Sequence, residues 1–379
     1  MMHPIRGSSS RLRDYSCRMS RLRFAPYPIL ALLLAAFASS AAPKKHETPK
    51  AAGWTFAVSG DSRNCGDFVV PAIAARVKAE GDVFYWHLGD FRWMSQPDED
   101  LLAMQPTGTT LTQSEYQQRA WDDFLTHQMA TFGDLPVFLG RGNHENVSPM
   151  TIDTYRSKFS AFLDRPEIVA QGEKDGAAAA PKGGSWFHFV RGGVDFITSD
   201  NADQSQFSDA QLTWLRSVLD RDLAPGSGVT TILAGMHEAL PHSTSSNHAM
   251  DDWKLGTETG EKAYKWFAAA QKSGKHVYLL ASHSHFYSPA IYDTPFWRQA
   301  GIVIPGTIIG SAGAHRYKLP ADAAPGSKTH IYGYLRATVH GDGTIAFDLK
   351  EINEDEMVAH KWPAAPLAAI HECFIHNAE

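Results

Sequence analysis

Five short apolar runs in this chain end in the same way. WTFAVSG leads to Asp61, DVFYWHLG to Asp90, LPVFLGRG to Asn143 and His144, VTTILAGM to His237, and HVYLLAS to His283 and His285. Each run has the length of a buried strand, stops at small residues and delivers a side chain able to bind a metal ion or move a proton. Between the runs lie segments with apolar residues at helical spacing: VVPAIAARVKAEG, the stretch from Tyr116 to Met129, FSDAQLTWLRSVLDRD and EKAYKWFAAAQKSG. The third has Ser208 as N-cap with Leu212, Leu215, Val218 and Leu219 along one face, and the fourth stops at Gly274. Strands alternating with helices predict an α/β sheet. SWFHFVRGGVDFITSD, turning at Gly192-Gly193, and YGYLRATVHGDGTIAFDLKEI, turning at Gly341 to Gly343, read as hairpins and make the sheets mixed. Side chains from distant segments meet at the carboxyl ends of the strands of an open α/β sheet, so Asp61, Asp90, Asn143, His237, His283 and His285 are expected at one edge.

Gly172 to Gly184 reads as a low-complexity surface loop, and Met94 to Gln113, His242 to Gly256 and Ala312 to Lys328 as irregular. No repeat or long linker divides residues 50–379, which read as one domain. Ahead of them, RLRFAPYPILALLLAAFASSAAPKK has a basic start, an apolar run from Ile29 to Phe37 and small residues after it. Residues 1–42 are therefore expected to be a signal peptide cleaved near Ala38 to Ala42, with Met19 as a second candidate start. The apolar run is shorter than the roughly 20 residues a bilayer requires, so no stable membrane span is expected, and a periplasmic or secreted location follows. Loss of the six Arg and one Asp of residues 1–38 takes the formal charge from −6 to about −11, which argues against long nucleic acid as a partner. Cys17 goes with the leader. In an oxidising compartment Cys65 and Cys373 are either a disulfide, the expected state, or two thiols.

Carboxylate, amide carbonyl and imidazole together suit a transition-metal ion better than calcium, which prefers oxygen alone. Extended residues two apart point to the same side, so His283 and His285 are expected to reach neighbouring ions. Two ions bridged by a carboxylate activate water for in-line displacement at phosphorus. An Asp after a strand is often only a turn residue, and a lone His often only a packed one; recurrence at five strand ends is what carries the metal reading.

The ordered blocks Gly60-Asp61-Ser62-Arg63, Gly89-Asp90, Gly142-Asn143-His144-Glu145, His237 and Ser282-His283-Ser284-His285, with the helix AQLTWLRSVL, resemble the calcineurin-like metallophosphoesterases, which include purple acid phosphatases. The resemblance spans Asp61 to His285. It implies a two-layer mixed β-sandwich flanked by α-helices and a phosphoester hydrolase using metal-activated hydroxide on a small phosphorylated substrate, which the leader makes an exported one. A phosphomonoesterase is the first reading; a phosphodiesterase, or a phosphate-ligand binding protein without turnover, are the alternatives. It further implies two ions, from Fe, Mn or Zn, with Asp90 bridging them, Asp61 and His285 on the first, and Asn143, His237 and His283 on the second. His144 would face substrate as general acid.

The blocks depart from the family at two positions. Relatives place a metal-binding His two residues after the first Asp, where this chain has Arg63, and a protonated guanidinium cannot ligate. Purple acid phosphatases use a Tyr three residues after the bridging Asp, where this chain has Trp93. The first site is short of one ligand, leaving three readings: water, substrate or Asn64 completes it; one tight ion suffices; or catalysis is lost. Arg63 itself either pairs with Asp67 or forks onto substrate phosphate. His242, His248 and His315 are candidates for the rim, and Trp93, Trp253 and Tyr287 for stacking on a leaving group, with ordinary packing as the alternative in each case.

Overall fold

The apolar runs become the central strands of two facing sheets. A computed structural model describes residues 53–245 and 248–377; the expected signal peptide, with Cys17, lies outside the described residues. The strands are β1 (Trp54–Ser59), β2 (Tyr85–His87), β3 (Val137–Leu139), β4 (Phe187–Arg191), β5 (Val194–Thr198), β6 (Thr231–Gly235), β7 (His276–Ala281), β8 (Tyr287–Pro289), β9 (Gly306–Ile309), β10 (Tyr332–Val339) and β11 (Ile345–Ile352). One sheet has the order β11-β10-β1-β2-β3 and the other β4-β5-β6-β7-β9-β8. β1, β2 and β3 run parallel, as do β5, β6, β7 and β9, while β10, β11, β4 and β8 join antiparallel. Both sheets are therefore mixed, and helices flank them.

Aromatic side chains hold the two layers together. Phe56 of β1 stacks on Phe84 at 4.8 Å and meets Phe196 of β5 edge-on at 5.2 Å, and Phe138 of β3 stacks on Phe189 of β4 at 4.2 Å. The period of two explains why β6 from Ile232 to Gly235 and β7 from Val277 to Ala281 are apolar without interruption. Leu233 and Leu280 point into the inter-sheet core, while Ile232, Ala234, Val277 and Leu279 point out onto Leu215, Val218, Tyr264 and Phe267 of the helices Asp209–Leu223 and Lys254–Lys272. A strand buried on both faces needs apolar residues at every position.

The hairpins form where expected, and Gly192 and Gly193 both take positive φ (58° and 81°), the conformation a two-residue turn requires. Ser208 accepts a hydrogen bond from the backbone N–H of Gln211, as an N-cap should. The expected helix from Tyr116 to Met129 is present as Gln113–Asp123 continuing into a π-turn segment Phe124–Gln128. Three segments are more regular than their composition implies. Helix Pro166–Asp175, started by Pro166 in its first turn and ended at Gly176 (φ 58°), takes up the beginning of the stretch read as a loop from Gly172. Glu99–Ala103 is a short helix inside the Met94 to Gln113 stretch, and the helix ending at Lys272 begins at Lys254, inside the stretch read as irregular up to Gly256.

Cys65 and Cys373 are joined in a disulfide, Cα–Cα 6.0 Å, across 308 residues of chain. The bond ties the helix Leu367–His376 to the start of the helix Gly66–Ala79, directly behind the loop that carries Asp61 to Asn64. No helix among the described residues is long and apolar enough to cross a membrane.

Candidate metal centre

The carboxyl ends of β1, β2, β3, β6 and β7 lie along one edge, and the loops leaving them bring the expected residues together. Three of those residues, Asp61 (φ 59°), Asp90 (φ 59°) and His283 (φ 63°), sit in the left-handed region. Residues other than glycine are uncommon there, and such strain gathers at functional sites. The loops also touch backbone to backbone. A Cβ on Gly142 would strike the carboxylate and backbone of Asp90, and one on Gly89 would strike the backbone at Arg141 and Gly142. This close approach is the physical reason for glycine in both the Gly-Asp and the Gly-Asn-His blocks.

Ligand atoms of Asp61, Asp90, His237 and His283 all lie within 4.8 Å of one another, and Asn143 Oδ1 stands 3.0 Å from His237 Nε2. His237 donates Nδ1–H to the carbonyl of Leu88 at 3.1 Å, which directs Nε2 at Asn143 Oδ1 and, at 3.3 Å, Asp90 Oδ1; without a metal ion Nε2 is protonated and donates there. Orientation of an imidazole by a carbonyl on its far nitrogen is the arrangement metal-ligating histidines use. Asp61 Oδ1, Asp90 Oδ2 and His283 Nδ1 are buried and have no hydrogen-bond partner among the described residues. Acceptors converging without donors fit a cation.

Charge behaves accordingly. Burial disfavours a charged His237, yet Asp90 and Asp61 outweigh it and raise its pKa to about 10. Burial likewise opposes ionisation of Asp90, but His237 and His144 hold its carboxyl well below the usual range. His283 stays neutral because burial, reinforced by His237, pushes it well below the ordinary value.

His144 stands at the rim. Its backbone N–H donates to Asp90 Oδ1 at 3.0 Å, its Nδ1–H to the carbonyl of Trp93, and its Nε2 lies 3.7 Å from Asp90 Oδ2. Burial, then the charge of Arg63, lowers its pKa, with Asp90 acting in the opposite direction.

The expectation that His283 and His285 project together from an extended segment is corrected by the left-handed turn at His283. His283 donates its backbone N–H to Asp61 Oδ2 at 2.8 Å and its ring joins the cluster. His285 instead donates Nδ1–H to the carbonyl of His315 at 2.6 Å and directs Nε2 at Asp61 Oδ1 (3.3 Å) and Arg63 Nη2 (3.2 Å). Arg63 is not paired with Asp67. It is buried beside the cluster, with Nε 3.9 Å from Asp90 Oδ2 and its guanidinium over Trp93 at 5.4 Å. Asp67 pairs with Arg92, which is fully buried among Asp67, Asp98, Asp100 and Asp123. Asn64 is also engaged elsewhere: its Nδ2 donates to Glu99 and its Oδ1 accepts from the backbone of His315.

Of the rim candidates, His248 lies 5.0 Å from the His283 ring. His242 turns away onto Phe296 and Glu261, His315 pairs with Glu99 at 2.9 Å, and Trp253 occupies the N-cap position of the helix starting at Lys254, without a side-chain capping bond. Two contributors were given no role by sequence reading. Glu145 accepts from the backbone N–H groups of Asp90 (2.9 Å), Phe91 (2.9 Å) and Gly142 (2.8 Å), clamping two site loops together. Burial and then the charge of Asp90 raise its pKa to about 7 against those three donors. The signal for it was the Gly-x-x-Glu spacing, the half of a capping box in which a Glu at the third helical position accepts from the N-cap backbone N–H. Tyr317, stacked on His285 at 4.0 Å and accepting from Arg63 Nη2 at 3.2 Å, had no sequence signal inside its irregular segment.

No family model and no curated protein matches the sequence. Solved structures similar to it include a purple acid phosphatase from yellow lupin (Lupinus luteus) seeds, at 14% identity and TM-score 0.47 over 84% of this chain and 57% of that one. This chain thus spans little more than half of the lupin protein's length. The structure of PhoD is similar at 12% identity and TM-score 0.46, over 85% of this chain and 77% of that one. A dimetal phosphatase from Danio rerio is similar at 13% identity and TM-score 0.45, over 78% and 99%. Similarity of this degree assigns no role to any residue.

Proposed function

We propose that this chain is an exported metal-dependent phosphoester hydrolase that acts on small organic phosphomonoesters, of the calcineurin-like kind its motifs resemble. The observation that supports it most is the set of partnerless buried acceptors, Asp61 Oδ1, Asp90 Oδ2 and His283 Nδ1, beside His237 Nε2 and Asn143 Oδ1 and flanked by His144 and Arg63. Asp61, Asp90, Asn143, His237 and His283 are the metal ligands in this reading, with His285 at the position of the first ion in the two-ion scheme. The mixed nitrogen and oxygen donors suit Fe, Mn or Zn. An ion bound there supplies Lewis acidity toward a phosphoryl oxygen and lowers the pKa of water.

The chain's own residues do the rest. His144, its Nδ1–H fixed on the carbonyl of Trp93, acts as the imidazolium: the lowered pKa makes that cation the stronger acid, and its Nε2 proton passes to the leaving oxygen as the P–O bond breaks and water adds to phosphorus. Arg63 is a fixed cation for the phosphoryl oxygens, and a fixed cation favours the more highly charged monoester over a diester. Export rests on the basic, apolar and small-residue order of residues 1–42, and the disulfide is compatible with an oxidising compartment.

The test is metal-stripped protein reloaded with Mn, Zn, Fe, Co or Mg and assayed on an aryl phosphomonoester and an aryl phosphodiester. Turnover that returns with the ion and favours the monoester supports the proposal. Faster diester cleavage redirects it to a phosphodiesterase, and no turnover with any ion leaves a phosphate-ligand binding protein.

A further inference from the structure

Asp61, Asp90, His237 and His283 converge on one point, and His285 is not among them. Its Nδ1–H is committed to the carbonyl of His315, so Nε2 carries the lone pair, and Arg63 Nη2 fills it at 3.2 Å. The rest of the guanidinium extends toward Asp90 Oδ2, where Nε stands at 3.9 Å, and Nη2 also donates to the Tyr317 hydroxyl. Arg63 is 6% exposed and lies over Trp93 at 5.4 Å, so it is held in place on three sides. A guanidinium thus sits between the two side chains, His285 and Asp90, that a first metal ion would share.

We infer that Arg63 takes the place of that ion, so that the centre binds a single metal ion and uses a covalently tethered cation as the second positive charge. The inference rests on the metal-dependent reading above. Charge supports it: Asp61 and Asp90 bring two negative charges, Arg63 answers one, and one divalent ion leaves the centre with a single positive charge for a phosphate. A second divalent ion would have to sit against a guanidinium that cannot deprotonate. Arg63 therefore has a double role, neutralising Asp90 and presenting its remaining N–H groups to the phosphoryl group.

The test counts ions rather than turnover. Protein saturated with Mn²⁺ and freed of excess is analysed for metal per chain, and its electron paramagnetic resonance spectrum is recorded. The expected result for the parent is one Mn per chain with the six-line spectrum of an isolated ion. Arg63→Lys, which keeps the charge, should also hold one. Arg63→His, which removes the cation and adds a ligand, should hold two, with an exchange-coupled signal. Two coupled ions in the parent overturn the inference while leaving a metal-dependent hydrolase intact. No ion in the parent removes both, and one ion without hydrolysis of any phosphoester defeats the hydrolase alone. Should Arg63→His fail to fold, stoichiometry and spectrum of the parent decide by themselves.

Discussion

Glu145 is where a single truncation should reach both stability and metal affinity. Its carboxylate accepts three backbone N–H groups, from Asp90, Phe91 and Gly142, in a fully buried position. Glu145→Ala leaves three donors without a partner, and each buried orphan costs roughly 1–3 kcal/mol, less where water enters the space. A loss of about 3–5 kcal/mol is expected, a large share of the roughly 5–15 kcal/mol that holds a domain together. For a unit of this size the unfolding entropy is about 0.7 kcal/mol/K, so the midpoint should fall by roughly 4–7 °C. Glu145→Gln keeps one acceptor oxygen but sets an NH₂ against an N–H donor, and should fall between parent and alanine variant. Because Glu145 fixes the loops of Asp90 and Asn143 relative to each other, metal affinity should also drop by about 10–100-fold. Calorimetric melting with metal titration measures both. A Glu145→Ala protein that melts and binds metal like the parent would refute the clamp.

Three further outcomes are expected. His144→Ala should keep the metal content of the parent and lose turnover by on the order of 10²–10⁴-fold, as for a missing general acid; metal loss in that variant would make His144 a ligand instead. Intact mass after alkylation should show Cys65 and Cys373 unreactive until reduction, and Cys373→Ser should lower stability by roughly 2–5 kcal/mol. Stability should fall as pH rises from about 6.5 to about 9: burial opposes the charge of His188, but Asp195 and Asp175 raise its pKa to about 9, so the favourable ion pairing is complete below its unfolded value and is lost through its folded one. His188→Gln should remove its share of that dependence, about 3 kcal/mol for a buried group with this shift, and leave the share that His237 contributes through its own raised pKa.

The strand ends were legible because they combine two strong local signals. Runs such as Ile232 to Gly235 are apolar at every position because both faces are buried, and the glycines at Gly89 and Gly142 are required where site loops pack against one another. From those alone the edge carrying Asp61, Asp90, Asn143, His237 and His283 could be placed. Arg63 was harder, since Asp67 is its near neighbour in sequence and the obvious partner. Only the fold brings Arg92 onto Asp67 and swings Arg63 to His285, 222 residues away. The turn at His283 was hidden for a related reason: nothing in Ser-His-Ser-His announces a left-handed residue, which the hydrogen bond from its backbone to Asp61 holds in place. Glu145 and Tyr317 act through contacts with backbone or with residues far along the chain, and such partners leave little trace in local patterns.

Anomalous diffraction from crystals of the Mn-loaded protein soaked with inorganic phosphate tests the centre most directly. The account predicts a metal peak among Asp61, Asp90, Asn143, His237 and His283, at ligand distances of roughly 2.0–2.3 Å, with phosphate lying between that ion, His144 and Arg63. A peak confined to Asp67, Asp123 and His127, the other carboxylate and imidazole group among the described residues near enough to hold an ion, or none at the strand ends, would contradict it.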